Sequence, residues 1–209
     1  MRHKIKTFLP DLFIKTMITH PGFMESGLFL KIMQIFPEMI SSRYDASVVK
    51  EDGSYQNIIR AGLLSIRNKP QRILDLCTGT GVAAFLANRV FPETEIVAID
   101  QSEGMLKVAQ AKAAGLGLPL IKFKPGDARR LPEPDHSFDL VITANAPVYL
   151  SEIARVLQPG GQIMMAFFFG GASFVNLRET ISGTLGQHGL RLLELNNVGK
   201  GAYLISEKA

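Results

Sequence analysis

Apolar residues in this chain cluster in short runs, and the spacing of those runs predicts three zones. In the middle zone, apolar stretches near 72–76, 95–100, 119–124, 138–144 and 161–169 have the length and β-branched content of buried strands. Between them, the patterns near 80–91, 102–114 and 148–157 have helical periodicity. Such alternation predicts a parallel sheet with helices on both faces. The last zone opens with a helix at about 173–187 and continues with two strand-like runs, Leu190 to Leu195 and Ala202 to Ser206. The short Asn196-Asn197-Val198-Gly199-Lys200-Gly201 link between these runs suits a hairpin, so the final strand is expected to enter antiparallel. In the first zone, residues 1–43 hold two Met- and Phe-rich segments, roughly Ile5 to Thr19 and Glu25 to Ile40, split by His20-Pro21-Gly22. A third helix is expected from Tyr55 to Ile66, ended by Asn68-Lys69-Pro70.

The densest chemistry lies between Arg72 and Asp100. Ile73-Leu74-Asp75-Leu76 breaks into Cys77-Thr78-Gly79-Thr80-Gly81, an alanine-rich helix follows, and Ile96-Val97-Ala98-Ile99 ends on Asp100. Strand, glycine-rich turn, helix, strand and acid together form a nucleotide-cofactor half-site, in which glycines remove Cβ atoms where backbone passes under a ligand. Two cofactors compete for it. Gly79-Thr80-Gly81-Val82-Ala83-Ala84 fits the dinucleotide fingerprint, and Asp100 stands where a ribose-binding acid belongs, so an NAD(P)-dependent oxidoreductase is one reading. Asp75 argues against it, because a pyrophosphate on that helix N-terminus would meet a like charge. A cofactor with a cationic amino-acid end, such as S-adenosylmethionine (SAM), would welcome that carboxylate.

Downstream come Gln101-Ser102-Glu103-Gly104-Met105-Leu106, Pro125-Gly126-Asp127-Ala128, Ser137-Phe138-Asp139-Leu140-Val141, and Glu152-Ile153-Ala154-Arg155-Val156-Leu157-Gln158-Pro159-Gly160-Gly161. In this order and spacing, from about Tyr44 to the C-terminus, the chain closely resembles the class I SAM-dependent methyltransferases, especially the small-molecule branch containing the ubiquinone/menaquinone-biosynthesis C-methyltransferases. The resemblance implies a Rossmann-like α/β fold with a seven-stranded sheet in the order 3-2-1-4-5-7-6. It also implies SAM as methyl donor and S-adenosylhomocysteine as product. One departure is Cys77, where family members often have glycine.

Site residues follow from position and resemblance together. Asp75 either caps the following helix or also meets the SAM amino-acid moiety; Cys77, Thr78, Gly79 and Gly81 shape the turn beneath the cofactor. Asp100, with Gln101 beside it, ends a strand at the carboxyl edge and suits the ribose hydroxyls. By resemblance, Asp127 accepts from the adenine exocyclic amine, Ala128 supplies backbone contact, and Met105 packs on the base unless it is plain core. Tyr44, in Arg43-Tyr44-Asp45, would help cover the cofactor. Asn145 is a further cofactor candidate. Together with Tyr149, Tyr44 and His20 it also forms the substrate-facing set. Asn145-Ala146-Pro147-Val148-Tyr149 is similar to the N-P-P-Y loop of methyltransferases acting on planar amines, but its prolines are not paired and its aromatic is displaced. The connection carrying it is also shorter than usual for the family. Pro159-Gly160-Gly161 reads as a helix breaker and strand start, and the Glu152/Arg155 pair as packing.

Composition narrows the remaining choices. A chain of 209 residues with 46% hydrophobic content suits one catalytic unit, with 44–209 as core and 1–43 as a helical extension or lid. The net charge of +4 is spread too evenly for a nucleic-acid stripe. One cysteine excludes an internal disulfide, and four dispersed histidines give no metal-binding spacing. No apolar run approaches a transmembrane length, which leaves a cytoplasmic protein, monomer or homodimer, whose apolar N-terminus is plain core, a lid, a dimer face or a membrane-surface contact. Methyl transfer from a sulfonium needs alignment and exclusion of water more than a triad or metal, so no catalytic residue is named. The expected activity is transfer of a methyl group from SAM to a small, hydrophobic acceptor. Its rivals are the oxidoreductase and a SAM-binding module without catalysis.

Overall fold

The computed structural model describes residues 54–168 and 171–209. The two segments expected within 1–43, together with Tyr44 and His20, lie outside the described residues. From Ser54 onward the chain runs α1 (Ser54–Leu64), β1 (Arg72–Leu76), α2 (Val82–Val90), β2 (Glu95–Asp100), α3 (Glu103–Leu116), β3 (Ile121–Pro125) and β4 (Phe138–Ala144). It continues through α4 (Leu150–Val156), β5 (Leu157–Phe167), α5 (Gly171–Asn176), α6 (Arg178–Gly186), β6 (Leu190–Val198) and β7 (Gly201–Lys208). The strands form one sheet in the order β3-β2-β1-β4-β5-β7-β6. Strands β1 to β5 pair in parallel, and β7 enters antiparallel between β5 and β6, as the hairpin link predicts.

The central strands are apolar on both faces because helices cover both. Odd and even positions sort the core into two layers. Ile73, Ile96, Ala98, Leu140, Ile142 and Met164 face α1 and α2, while Leu74, Leu76, Val97, Ile99, Val141 and Ile163 face α4, α5 and α6. Helix α2 lies close to the sheet because alanines make its inner face: Ala83, Ala84 and Ala87 are all buried. Helix α3 is bounded by its sequence signals, Ser102 at the N-cap accepting from the Met105 N–H at 3.1 Å and Gly117 at φ 65° closing the C-terminus.

Three boundaries differ from the pattern reading. The hairpin link expected at 196–201 shrinks to Gly199-Lys200, because Asn196, Asn197 and Val198 pair with Tyr203, Ala202 and Gly201. The helix expected at 173–187 is two helices, divided at Leu177, whose N–H bonds to the Phe174 carbonyl in a tight i→i−3 turn. Strand β5 starts at Leu157, directly after α4, because Leu157 pairs with Phe138 before the register shifts. Gly160, at φ 74°, takes up that irregularity, so Pro159-Gly160-Gly161 lies inside a bulged strand.

Arg155 on α4 anchors the segment between β3 and β4. Its guanidinium donates to the Leu131 and Glu133 carbonyls, to Asp135 Oδ1 and to both Glu152 oxygens, and Glu152 in turn accepts from the Leu131 N–H. Glu133, buried in the same segment, accepts from Arg72 and Lys124. Arg155→Ala is expected to cost about 2–3 kcal/mol, discounted for partial exposure, since charged hydrogen bonds and buried carbonyl acceptors are lost together. Thermal unfolding followed by circular dichroism should show a melting temperature lower by about 4–10 °C; an unchanged melting temperature would rule the clamp out.

Candidate functional site

Five parallel strands end at one edge of the sheet, and their following loops meet there. Asp75, the penultimate residue of β1 in an otherwise apolar stretch, is 1% exposed on the α2 side of the strand. Its Oδ2 accepts the Thr78 hydroxyl at 2.5 Å and the Ala84 N–H at 2.9 Å, the latter from the first turn of α2. Asp75 therefore joins strand, turn and helix. Thr78 is buried behind the turn, its N–H on the Ile99 carbonyl at 3.0 Å and its carbonyl accepting from Gly81 N–H at 2.9 Å. It positions the acid from below.

Positive φ angles at Cys77 (58°), Gly79 (55°) and Gly81 (88°) reverse the chain within five residues. A Cβ on Gly79 would meet nothing within 4 Å, so open space lies above the turn. A Cβ on Gly81 would strike the Phe85 ring at 2.8 Å. The first glycine leaves room for a ligand and the second leaves room for the helix. Asp100 borders that open space, with Oδ2 accepting from Gly79 N–H at 2.8 Å and Oδ1 from Ser102 N–H at 2.9 Å. One carboxylate thus ties the β1 and β2 loops together. Gln101 is exposed beside it, and Met105 is buried in the first turn of α3.

The β3 loop joins the same group through Gly126, whose N–H donates to the Asp100 carbonyl at 3.0 Å. A Cβ there would sit 2.7 Å from Ile99 Cγ2, so glycine allows this approach. Asp127 follows, with its carboxylate on Arg129, whose guanidinium holds it below the usual carboxylate range. Ala128 is buried against the α4-side core. Cys77 reports how close the acids are: burial pushes its thiol far up, and the charges of Asp100, Asp75 and Asp127 all add to the rise. That thiol is no nucleophile.

On the other side, the β4–α4 connection is only residues 145–149. Asn145 is left-handed (φ 55°), its N–H bonded to the Ala166 carbonyl at 2.9 Å and its Oδ1 accepting from Phe168 N–H at 3.1 Å. Tyr149 stands at the start of α4, partly buried against the core. Tyr55 at the start of α1 packs edge-to-face on Phe168, bringing α1 to this edge as well.

Sequence reasoning missed Ser102 and Arg129. Ser102 was legible as an N-cap before an apolar run; the Arg129 fork was not, because it depends on how the Gly126-Asp127 turn folds. A groove of about 610 Å³ between the end of α3 and β3, lined by Gln110, Ala113, Leu118, Ile121 and Phe123 among others, contains none of these acids. Among the described residues, no group of three His, Cys, Asp or Glu is placed to hold a metal ion, and no helix is long and apolar enough to cross a membrane.

Residues 73–161 match a family described as a methyltransferase domain. A demethylmenaquinone methyltransferase of Thermus thermophilus is 40% identical over 116 residues, 52% of either chain. A ubiquinone/menaquinone biosynthesis C-methyltransferase of Methylobacterium nodulans is 33% identical over 150 residues, 66% of this chain and 59% of that one. The chain spans about half the length of the curated relatives it matches. A SAM-dependent methyltransferase from Aquifex aeolicus shares the fold, with a TM-score of 0.64 at 20% identity over 83% of this chain and 98% of its own.

Asp75 carries a pH signature. Burial pushes its carboxyl up to about 7, with the Thr78 and Ala84 bonds opposing and Asp100 adding. Ionisation therefore costs more in the folded protein than in the unfolded chain. Stability from the neutral carboxyl is complete below pH 4 and is lost as pH rises towards 7. Asp75→Asn lacks this loss. Relative to the parent, its unfolding free energy should gain roughly 4 kcal/mol between pH 4 and pH 7.5. Urea titrations at a series of pH values measure the difference, and a pH-independent gap would mean that Asp75 ionises freely.

Proposed function

We propose that this chain, whose residues 73–161 match a methyltransferase-domain family, transfers a methyl group from SAM to a small apolar acceptor. One observation carries the reading: three carboxylates, Asp75, Asp100 and Asp127, gather around the Cys77 turn at one edge of the sheet. Asp75 meets the ammonium of the donor's amino-acid end, Asp100 accepts from the ribose hydroxyls, and Asp127 accepts from the adenine amine. Met105 and Ala128 flank the base, with Gln101 beside the sugar, and Gly79 leaves the floor open. Tyr44 covers the donor. SAM, when bound, supplies a methyl carbon on a cationic sulfur that leaves as S-adenosylhomocysteine. The chain's own part is to bind, align and keep water out.

The relatives' names point to a quinol-class acceptor, and the aromatic Tyr149 beside the amide of Asn145 suits a flat ring; Tyr44 and His20 are further candidates on that side. The free Cys77 thiol suits a reducing compartment, and we take the cytoplasm as the place of work, as monomer or homodimer.

Inward-facing donors weigh against a dinucleotide. The Gly79, Gly81 and Ala84 N–H groups all bond within the turn, to Asp100, Thr78 and Asp75, instead of facing a phosphate. Isothermal calorimetry should therefore detect S-adenosylhomocysteine binding and no heat with NAD or NADP. Asp100→Ala should weaken that binding at least about a hundredfold, through loss of two charge-assisted hydrogen bonds of about 1.5–3 kcal/mol each. Transfer of label from methyl-labelled SAM to a demethylated quinol separates an enzyme from a binding module. Dinucleotide binding without S-adenosylhomocysteine binding would refute the reading.

A further inference from the structure

Asp127 is fully engaged in the structure. Arg129 Nε lies 2.9 Å from each of its oxygens, and Nη2 lies 2.5 Å from Oδ2. Oδ1 also accepts the backbone N–H of Arg129 at 2.9 Å, and the Asp127 carbonyl accepts from Arg130 N–H at 3.0 Å. The first of these bonds holds Oδ1 and the second closes the turn, and neither involves the guanidinium. Among the described residues, the guanidinium makes no hydrogen bond or ion pair except with Asp127, and its side chain is 44% exposed. What it does is fill the lone pairs that a base amine would need.

We propose that Arg129 is a displaceable cap on the base-recognising carboxylate, covering Asp127 when no nucleoside is bound and giving it up to an exocyclic amine on binding. The inference rests on the reading of Asp127 given under Proposed function. It makes binding an exchange: the guanidinium contacts are given up for those of the amine, and a base without an amine at that position gains nothing from the exchange. The freed guanidinium swings into solvent.

An exposed ion pair shifts such an equilibrium by a factor of roughly two to five. Arg129→Ala should therefore bind S-adenosylhomocysteine about two- to fivefold more tightly than the parent at low salt. The ratio should shrink towards one in about 1 M NaCl, where exposed pairs are screened. S-inosylhomocysteine, which has a carbonyl in place of the amine, should show no tightening. Asp127→Asn should weaken S-adenosylhomocysteine binding, and on that background Arg129→Ala should have no effect. Calorimetry on the full chain, with melting curves confirming that each variant is folded, reads all of these. If Asp127→Asn weakens binding while Arg129→Ala leaves it unchanged or weakens it, Arg129 supports the base and the cap is refuted. If Asp127→Asn has no effect, or the parent does not bind S-adenosylhomocysteine, the underlying reading of Asp127 falls and the cap falls with it.

Discussion

The whole site depends on a carboxyl group buried where it does not belong. Asp75 accepts one hydroxyl and one helix N–H, both on Oδ2, and sits beside the positive end of α2. All three effects favour the charged form, yet desolvation outweighs them and the carboxyl is pushed up to about 7. The fold thus holds an acid whose ionisation is only half satisfied. A cation placed against it would offset the desolvation that its two hydrogen bonds leave uncompensated, and this is the physical reason a cationic ligand suits the turn better than an anionic one.

Close approach is the second constraint, and it follows from the first. For the Ala84 N–H to reach Asp75, α2 must pack directly on β1, so its inner face is alanine. For three loops to share one acid-lined edge, Gly126 must press on Ile99, and Gly81 must clear Phe85. Cys77 is the exception. It holds a left-handed conformation with a side chain, at a cost of about 1–2 kcal/mol, and burial keeps its thiol protonated, with the charges of Asp100, Asp75 and Asp127 adding to the effect.

Much of this was legible because the informative residues break a strong pattern. Asp75 and Asp100 interrupt or end runs that are otherwise buried on both faces, and parallel strands bring all such ends to one edge. The hairpin at 196–201 was legible for a similar reason, since turn chemistry there is local. What escaped depends on distant partners. The start of β5 is set by Phe138, nineteen residues before Leu157, and the Arg129 fork by a turn whose shape the Gly-Asp pair permits without dictating. The role of Thr78 was half visible: its place in the turn could be read, but not that its hydroxyl points inward to Asp75.

The 145–149 side of the edge, proposed above to face the acceptor, is built on a different principle from the acid-lined turns. Where acids and glycines make those turns, the short 145–149 connection is tethered by a backbone bond from Asn145 to Ala166 and by its side chain to Phe168. Tying β4 to β5 in this way fixes the direction in which Tyr149 leaves the sheet, and the same Phe168 receives Tyr55 from α1. Rigid backbone and aromatic surface offer orientation more than proton transfer. Such a wall suits a reaction whose driving force is already stored in the sulfonium, because holding the acceptor carbon or heteroatom in line with the methyl is then the larger part of catalysis.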